Sequence, residues 1–267
     1  SAVAEQMVTD PRVGFFSFIG SGAVGWHLKS KLAAGTRCAL EHGGVAPVIV
    51  DESADVNAMI PALVKGGFYH SGQVCVSVQR IYVPEDMATS VAQAIADKAS
   101  LLKVGNAIVT ETECGPLVNP KEVDRVEQWV DEAARAGAQV LCGGHRLGET
   151  TYAPTVLLDP PAKAKVSTQE VFGPVVCVYG TESLEDAILR ANSLPVAFQA
   201  AVFTQKLNAA LRCVRELDAT AVMVNDHTAF RVDWMPFGGR RHSGYGVGGI
   251  GHTLRDMTQE KMAVIKL

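Results

Sequence analysis

Short apolar runs alternate along the chain with segments in which apolar residues recur every three or four positions. The runs are typical of buried strands, and the recurring pattern is typical of amphipathic helices. The predicted strands are residues 13–19, 45–50, 138–141, 175–179, 200–203 and 221–224. The predicted helices between them include residues 21–32, 184–191 and 207–214. This order predicts an α/β protein, with a mainly parallel sheet and flanking helices.

Residues 120–136 carry the clearest helical pattern. Asn119 is suited to cap this helix, Pro120 to occupy its first turn, and Gly137 to end it. The apolar residues that share one face are Val123, Val126, Val130 and Ala133. We expect this face to pack against the sheet.

The composition is that of a folded protein with no excess of positive charge. Of 267 residues, 48% are hydrophobic and 19% are charged, which excludes a disordered chain. Lys and Arg total 24 against 28 Asp and Glu, so neither nucleic acid nor an anionic membrane is an expected partner. No apolar run is long enough to span a bilayer, and no signal-peptide pattern is present. We expect a soluble, cytoplasmic protein.

Six cysteines are spread along the chain without the spacing of a metal site. They are Cys38, Cys75, Cys114, Cys142, Cys177 and Cys213. None forms a C-x-x-C pair and no histidine stands at zinc-finger spacing, so no metal is predicted. Scattered cysteines in a chain of this size indicate reduced thiols. We expect at most one or two of them to be chemically special.

A glycine-rich turn follows the first predicted strand. Residues 20–25 read Gly-Ser-Gly-Ala-Val-Gly and fit the G-x-G-x-x-G pattern at the start of a predicted helix. Backbone N–H groups at such a helix N-terminus face an anion, and glycine lets the anion approach. The acidic residue that usually binds the ribose is poorly matched, because Glu41 stands beside glycines and only 16 residues after Gly25. By itself the pattern is equally compatible with a tight turn that binds no ligand.

Two further segments carry groups suited to covalent catalysis. Residues 40–44 read Leu-Glu-His-Gly-Gly, and the glycines leave room for a carboxylate to move and a substrate to approach. Residues 72–75 read Gly-Gln-Val-Cys ahead of an apolar run, which suits an exposed nucleophile. Taken separately, Cys75 is better explained as a core residue and Glu41 as a solvated one.

An ordered set of motifs, from about residue 13 to the end, resembles the NAD(P)-dependent aldehyde dehydrogenase family. The motifs are Phe18-Ile19-Gly20-Ser21 with Val24-Gly25, Leu40-Glu41-His42-Gly43-Gly44, Gly72-Gln73-Val74-Cys75, Gly115-Pro116-Leu117, Glu170-Val171-Phe172-Gly173-Pro174, Asn225, and Pro236-Phe237-Gly238-Gly239 with Ser243-Gly244. Any one of them is common, but the ordered set is highly specific. The chain is similar to the C-terminal, catalytic portion of that family.

The resemblance implies a chemical role for two residues. Cys75 would be the nucleophile that attacks an aldehyde, forming a thiohemiacetal that is oxidised to a thioester. Glu41 would be the general base that activates water to hydrolyse the thioester. The backbone N–H of Cys75 would supply one half of an oxyanion hole.

The resemblance also implies NAD or NADP as the cofactor. Ser21, with Gly20 and Gly25, would form the family's own phosphate-binding turn, which accounts for the poorly matched ribose acid. Glu170 would bind the nicotinamide ribose, and Phe172 would pack near the nicotinamide ring. The choice between NAD and NADP is left open.

Two positions depart from the family pattern. His42 stands where members commonly carry leucine, and it either repacks locally or alters the environment of Glu41; buried neutral histidines are common, which favours repacking. His70 stands where members carry asparagine, and we expect that position to be structural.

The resemblance divides the chain into three parts. Residues 1–43 would be a remnant of the NAD(P)-binding domain and residues 44–245 the catalytic domain. Residues 246–267 would return to the cofactor and oligomerisation region, with a strand at 263–266. We expect a homo-oligomer, a dimer or tetramer, for the full-length protein. Members of the family are longer, and the asparagine that completes their oxyanion hole has no candidate here, so we expect a truncated chain with weak or no activity in isolation.

The segment from 226 to 235, the substrate loop, would line the aldehyde entrance. Phe230 and Trp234 are suited to pack against an aldehyde chain. Arg231 is suited to pair with an anionic group of the substrate. The alternative is an ion pair with Asp226 or Asp233 that fixes the loop, and the closeness of both acids in sequence favours this pairing.

Three functions stay open on the sequence. The first is oxidation of an aldehyde to a carboxylic acid, and the retained Glu41 favours it because hydrolysis needs a base. The second is an acylating reaction in which coenzyme A resolves the thioester. The third is a non-catalytic fragment or scaffold that keeps the fold without turnover.

Overall fold

The computed structural model describes residues 2–267. Its helices are α1 (Ala2–Thr9), α2 (Gly22–Lys29), α3 (Val56–Phe68), α4 (Glu85–Ala99), α5 (Pro120–Arg135), α6 (Lys165–Thr168), α7 (Leu184–Ala191), α8 (Leu207–Glu216) and α9 (Ile250–Met257). Its strands are β1 (Phe15–Ile19), β2 (Arg37–Glu41), β3 (Ala46–Val50), β4 (Val78–Pro84), β5 (Gln139–Cys142), β6 (Thr155–Leu158), β7 (Val175–Thr181), β8 (Val196–Ala197), β9 (Gln199–Phe203), β10 (Ala221–Val224), β11 (Arg240–Arg241) and β12 (Gly244–Tyr245).

A seven-stranded sheet forms the centre of the molecule, in the order β10-β9-β3-β4-β7-β6-β5. Every neighbouring pair is parallel except β5 and β6. Helices cover both faces: α3 and α4 pack on one, and α5, α7 and α8 on the other. The predicted α/β class with a mainly parallel sheet is confirmed.

A smaller sheet carries part of the candidate site. Strand β1 pairs in parallel with β2, and β12 pairs with the other edge of β2 in the antiparallel direction. Helix α2 connects β1 to β2. The C-terminal end of β2 therefore lies between two strands, one of which comes from the far end of the chain.

Helix α5 follows the sequence pattern closely. The Asn119 side chain accepts a hydrogen bond from the Glu122 N–H at 3.2 Å, and Pro120 occupies the first turn. The four residues of its apolar face are all buried. Each buried valine there contributes roughly 1.5–3 kcal/mol relative to an exposed one.

The C-terminal residues 258–267 form neither helix nor strand in the part of the chain that the structure describes. A strand needs a neighbour to bond with, and these residues are exposed and pair with no strand within 2–267. The strand expected at 263–266 would join the sheet of a neighbouring subunit, so it stays a prediction. The role expected for this tail in a neighbouring subunit, and the domain boundaries after 43 and 245, stay predictions.

No helix within residues 2–267 is both long and apolar enough to cross a membrane.

Candidate active site

Glu41 is the last residue of β2, and it lies between Ile19 of β1 and Gly244 of β12. Its carboxylate lies against Gly248, where a Cβ atom would overlap the Oε1 oxygen. Burial raises the pKa of Glu41, and the nearby Arg231 guanidinium lowers it. A half-buried carboxylate with a raised pKa suits a general base.

Cys75 lies in the segment between α3 and β4. The turn before it takes the left-handed conformation at three successive residues: His70 (φ 49°), Ser71 (φ 57°) and Gly72 (φ 69°). A Cβ atom on Gly72 would overlap the Gly173 carbonyl, so only glycine lets these two segments meet. Asparagine adopts this conformation readily, which accounts for the family's choice at the position of His70.

Three hydrogen bonds fix the segment around Cys75. The Gln73 side chain donates to the Pro116 carbonyl at 3.1 Å and accepts from the Val118 N–H at 2.9 Å. The Cys75 carbonyl accepts from the Gly44 N–H at 3.2 Å, which ties the thiol segment to the residues that follow Glu41. The hydrogen bond between Gly44 and Cys75 therefore holds the thiol segment beside the segment that contains Glu41.

The Cys75 thiol lies within electrostatic range of two carboxylates. Burial raises the pKa of Cys75 to about 11, and the charges of Glu170 and Glu41 also raise it. The residue's own backbone N–H and the Arg231 guanidinium lower it. The thiol is therefore protonated at neutral pH in this structure, and forming the thiolate requires positive charge or loss of a nearby negative one.

Glu170 stands in the loop between α6 and β7. Its carboxylate lies against Gly43, where a Cβ atom would overlap it. Burial raises the pKa of Glu170 to about 7, and the charge of Arg125 and the Gly44 N–H lower it. Its Oε1 oxygen is buried without a hydrogen-bond partner among residues 2–267.

Two residues that the sequence analysis missed hold the backbone next to Glu170. The Val171 N–H donates to Gln79 Oε1 at 3.0 Å, and the Val171 carbonyl accepts from Arg125 Nη2 at 2.7 Å. Gln79 is buried and also donates to the Gln169 carbonyl at 2.7 Å. A glutamine inside a strand and an arginine on a helix carry no motif, so only the fold reveals them.

Gly20–Gly25, the glycine turn, joins β1 to α2. Ser21 is the N-cap residue, and its side chain makes no capping hydrogen bond. The Gly20 backbone has a positive φ of 156°. Gly25 is buried, and a Cβ atom there would lie only 2.6 Å from His42 Nε2.

A cleft of about 1010 Å³ opens beside this turn, and we call it the α2 cleft. Its lining residues are Gly22, Ala23, Trp26, His42, Gly43, Glu170, Pro195, Val196, Arg241 and His242. The unpartnered Glu170 oxygen suits a hydroxyl donor, and the first turn of α2 suits an anion. These groups fit a ligand that combines a ribose with phosphates.

Phe172 lies on another side of the same loop. It adopts a left-handed backbone (φ 45°) and is 39% exposed. It lines a separate cavity of about 590 Å³ with His70, Ser71, Gln73 and Pro116 among its walls. The sequence analysis assigns Glu170 and Phe172 to the same nicotinamide site. In this structure they line two different cavities.

The substrate loop differs from the favoured sequence interpretation. The ion pairs within residues 2–267 include none between Arg231 and Asp226 or Asp233. Instead the Arg231 guanidinium lies 4.0 Å from the centroid of the Phe237 ring. Its charge acts on Cys75 and Glu41, which the linear sequence did not predict.

The two aromatic residues of the substrate loop are open to solvent. Phe230 is 43% exposed and Trp234 is 78% exposed. Contact of these two residues with an aldehyde therefore stays a prediction.

All six cysteines are free. Burial raises the pKa of each of the other five, Cys38, Cys114, Cys142, Cys177 and Cys213. Cys213 also has two carboxylates and an arginine as charged neighbours, Glu216, Asp51 and Arg212, but it is buried, whereas Cys75 is only partly buried.

The chain belongs to the aldehyde dehydrogenase family, whose sequence model matches residues 1–263. The 3-sulfolactaldehyde dehydrogenase of Priestia aryabhattai is 37% identical over 266 residues, which are 99% of this chain and 55% of that protein. The chain thus spans about half the length of the curated relatives it matches.

Solved structures agree with this assignment. Glyceraldehyde-3-phosphate dehydrogenase GapN from Methanocaldococcus jannaschii, complexed with NADP, superposes with a TM-score of 0.91 at 36% identity, over 96% of this chain and 55% of that one. Betaine aldehyde dehydrogenase from Staphylococcus aureus, in complex with NAD+, gives a TM-score of 0.90 at 31% identity, over 95% and 52%.

Proposed function

We propose that this chain carries the catalytic thiol of an NAD(P)-dependent dehydrogenase that oxidises an aldehyde to a carboxylic acid. The observation that carries the proposal is the environment of Cys75, a thiol in electrostatic range of two half-buried carboxylates from different parts of the fold. Family membership supports the same chemistry.

The α2 cleft is the proposed cofactor site. Glu170 would accept hydrogen bonds from ribose hydroxyls through its unpartnered oxygen, and Ser21 with the first turn of α2 would receive phosphate oxygens. NAD or NADP supplies the hydride acceptor when bound. The relatives solved with NADP and with NAD+ support a nicotinamide cofactor and leave both forms open.

Cys75 is the proposed nucleophile. Its sulfur would bond to the aldehyde carbon as the thiolate, and the carbonyl oxygen would become the oxyanion of a thiohemiacetal. The Cys75 N–H is the proposed donor to that oxyanion, because it already lies close enough to lower the pKa of the thiol. Arg231 would favour the thiolate by its positive charge.

Glu41 is the proposed base of the second half-reaction. Once the acyl group is bound to Cys75 as a thioester, Glu41 would take a proton from water, and the water oxygen would replace sulfur on the acyl carbon. Gly248 gives the carboxylate room, since any side chain there would occupy its position. A base beside the thiol favours water over coenzyme A as the acyl acceptor.

We propose further that the aldehyde carries an anionic group that pairs with Arg231. This guanidinium is exposed, has no ion-pair partner within residues 2–267, and lies over the Phe237 ring near Cys75. The names of two relatives, 3-sulfolactaldehyde and glyceraldehyde-3-phosphate dehydrogenase, denote anionic aldehydes and support this class.

We propose that the 267 residues by themselves turn over slowly. Ile19, at the end of β1, is 75% exposed, and Val24 on α2 is 44% exposed, so apolar surface beside the glycine turn lies open to water. An open cleft binds a dinucleotide poorly because it buries little of its surface.

The experiment is an assay of NAD(P)H formation with anionic and neutral aldehydes, with and without coenzyme A, on the protein and on Cys75→Ala. We expect slow, coenzyme A-independent turnover that Cys75→Ala abolishes. Turnover that requires coenzyme A would support the acylating reaction instead. A protein that binds NAD(P)H but never turns over any aldehyde would support a non-catalytic role.

A further inference from the structure

His227 is a histidine of the substrate loop that the proposed chemistry does not use. Only 13% of its side chain is exposed. We infer that His227 is a positioning residue, whose neutral imidazole holds the turn at the start of the substrate loop and thereby makes the binding of an anionic aldehyde at Arg231 dependent on pH. The inference rests on the proposed function, because it assumes that the aldehyde pairs with Arg231.

Residues 227–230 form a tight turn with two hydrogen bonds across it. The Phe230 N–H donates to the His227 carbonyl at 3.2 Å, and the Ala229 N–H donates to His227 Nδ1 at 3.2 Å. Asparagine and aspartate commonly make the second of these bonds, because their side-chain oxygen accepts from the N–H two residues further on. In this loop an imidazole nitrogen takes that place, and such a nitrogen accepts only while it is unprotonated.

The donor of this side-chain bond has no alternative acceptor. Ala229 is buried, and its N–H makes no other hydrogen bond within residues 2–267. A buried N–H that loses its acceptor destabilises the conformation that buries it. Protonation of Nδ1 would remove the acceptor and place a second proton opposite the Ala229 N–H. The turn is therefore stable with a neutral His227 and destabilised by an imidazolium.

The same turn joins the thiol segment to Arg231. The buried Thr228 hydroxyl donates to the Val76 carbonyl at 2.6 Å, one residue after Cys75. Arg231 directly follows the turn, and its guanidinium lies over the Phe237 ring. An aldehyde that must reach Cys75 and Arg231 together would bind only while the turn keeps the two in place. Its apparent affinity then falls with the fraction of molecules in which the turn is formed.

Burial and two charges determine the protonation of the ring. His227 packs on Gly66 in the last turn of α3, where a Cβ atom would lie 2.7 Å from the His227 Cβ. Burial lowers the pKa of His227 below the ordinary 6.5. Asp226 on the same loop, with its Oδ1 3.9 Å from Nε2, raises the pKa, and Lys65 on α3 lowers it. The ring is therefore neutral at pH 7 and above, and takes up a proton as the pH falls.

The test separates the hydrogen bond from the imidazole ring. Asparagine offers an acceptor oxygen in the place of Nδ1 and does not titrate, whereas leucine fills the space without an acceptor. KM for glyceraldehyde 3-phosphate, an anionic aldehyde, is measured from pH 5 to 8 on the protein, His227→Asn and His227→Leu. Other titrating groups are common to all three, so the ratio of KM between the protein and His227→Asn isolates His227. The matched control is His145→Asn, in the exposed loop after β5.

At pH 8 we expect His227→Leu to raise KM roughly tenfold, the usual effect of leaving a buried N–H unpaired. His227→Asn and His145→Asn should stay close to the unchanged protein at that pH. Towards pH 5, KM of the unchanged protein and of His145→Asn should rise severalfold relative to that of His227→Asn. A ratio that stays constant with pH would overturn the inference. An equally raised KM in His227→Asn at pH 8 would assign the effect to ring packing and overturn it as well.

A second measurement needs no substitution. Long-range ¹H–¹⁵N correlation at pH 8, with His227 assigned, should show a protonated Nε2 and an unprotonated Nδ1. As the pH falls, the Ala229 amide signal should shift with the same midpoint as the ring. The other tautomer, or an amide signal that does not follow the ring, would overturn the inference even if His227→Leu does not fold.

Failure of the proposed function gives a different result. If the protein turns over no anionic aldehyde at any pH while the tautomer and the shared midpoint are as expected, the proposed function fails. The pH dependence of substrate binding then fails with it, whereas the hydrogen bond between His227 and Ala229 stands.

Discussion

The carboxylate of Glu170 lies directly against Gly43, in the space that the side chain of any other residue would fill. This contact joins the loop before β7 to the segment that follows Glu41, and the Gly44 N–H beside it lowers the pKa of Glu170. It brings both carboxylates within range of one thiol. The glycine at position 43 is therefore required by a side chain far away in sequence.

Gly43→Ala should displace Glu170 from the α2 cleft. The new methyl group overlaps the carboxylate, and relieving an overlap in a packed site usually costs about 1–3 kcal/mol. We expect roughly tenfold weaker binding of NADH or NADPH in a fluorescence titration. The control is Gly14→Ala, since a Cβ atom on Gly14 meets nothing within 4 Å. Unchanged affinity in Gly43→Ala, with Gly14→Ala also unchanged, would contradict the assignment of Glu170 to the nucleotide.

The stability of the protein should depend on the ionisation of Glu170. Burial raises its pKa from the ordinary 4.5 to about 7. Between these values the folded protein holds a proton that the unfolded chain has released, so the contribution of Glu170 to stability is fully present below pH 4.5 and is lost as the pH rises through 7.

Melting temperatures of the protein and of Glu170→Gln, measured from pH 4.5 to 8, test this dependence. As the pH rises, the melting temperature of Glu170→Gln should increase relative to that of the unchanged protein. Glu149→Gln, at an exposed loop position, should run parallel to the unchanged protein. Parallel curves for Glu170→Gln would show that Glu170 titrates in its ordinary range.

The reactivity of Cys75 should respond in opposite directions to its charged neighbours. Glu170→Gln removes a negative charge that raises the pKa of Cys75, and Arg231→Gln removes a positive charge that lowers it. The rate of iodoacetamide alkylation at Cys75, followed by mass spectrometry against pH, should therefore have a lower midpoint in Glu170→Gln and a higher one in Arg231→Gln. Midpoints that move together, or not at all, would contradict the geometry around the thiol.

Arg231→Ala should discriminate between aldehydes. Hydrogen bonds to a charged group contribute about 1.5–3 kcal/mol, so KM for anionic aldehydes should rise about 10- to 100-fold. KM for neutral aldehydes should change little, and Arg215→Ala, on the exposed side of α8, should change neither. The test is steady-state kinetics. Equal increases in KM for both classes of aldehyde would show that Arg231 does not pair with an anionic group of the substrate.

Local pattern was enough to predict much of the fold. Strand β10 begins and ends where its apolar run does, and α5 begins at the residue after its cap. Helix α3 went unpredicted because Pro61, Gly66 and Gly67 interrupt its pattern, although Asp55 caps it through the Ala58 N–H at 3.1 Å. Packing of α3 against the sheet outweighs the low helix propensity of these three residues.

The candidate site was predictable only in part. Cys75, Glu41 and Glu170 stand in motifs, and the family resemblance is what singles them out. The contacts that define their chemistry join distant segments: Gly43 with Glu170, Gly248 with Glu41, and Arg125 with the Val171 carbonyl. Sequence proximity favoured an ion pair for Arg231, whereas the loop directs this side chain over Phe237 instead.

Cys75 is proposed to form the acyl intermediate, and Glu41 is proposed to resolve it. Intact-mass measurement of Glu41→Gln after incubation with an aldehyde substrate and NAD or NADP tests it most directly. We expect an added acyl mass, mapped by peptide digestion to Cys75, that accumulates in Glu41→Gln and not in the unchanged protein. An adduct on another residue, or none in a variant that still binds the nucleotide, would contradict it.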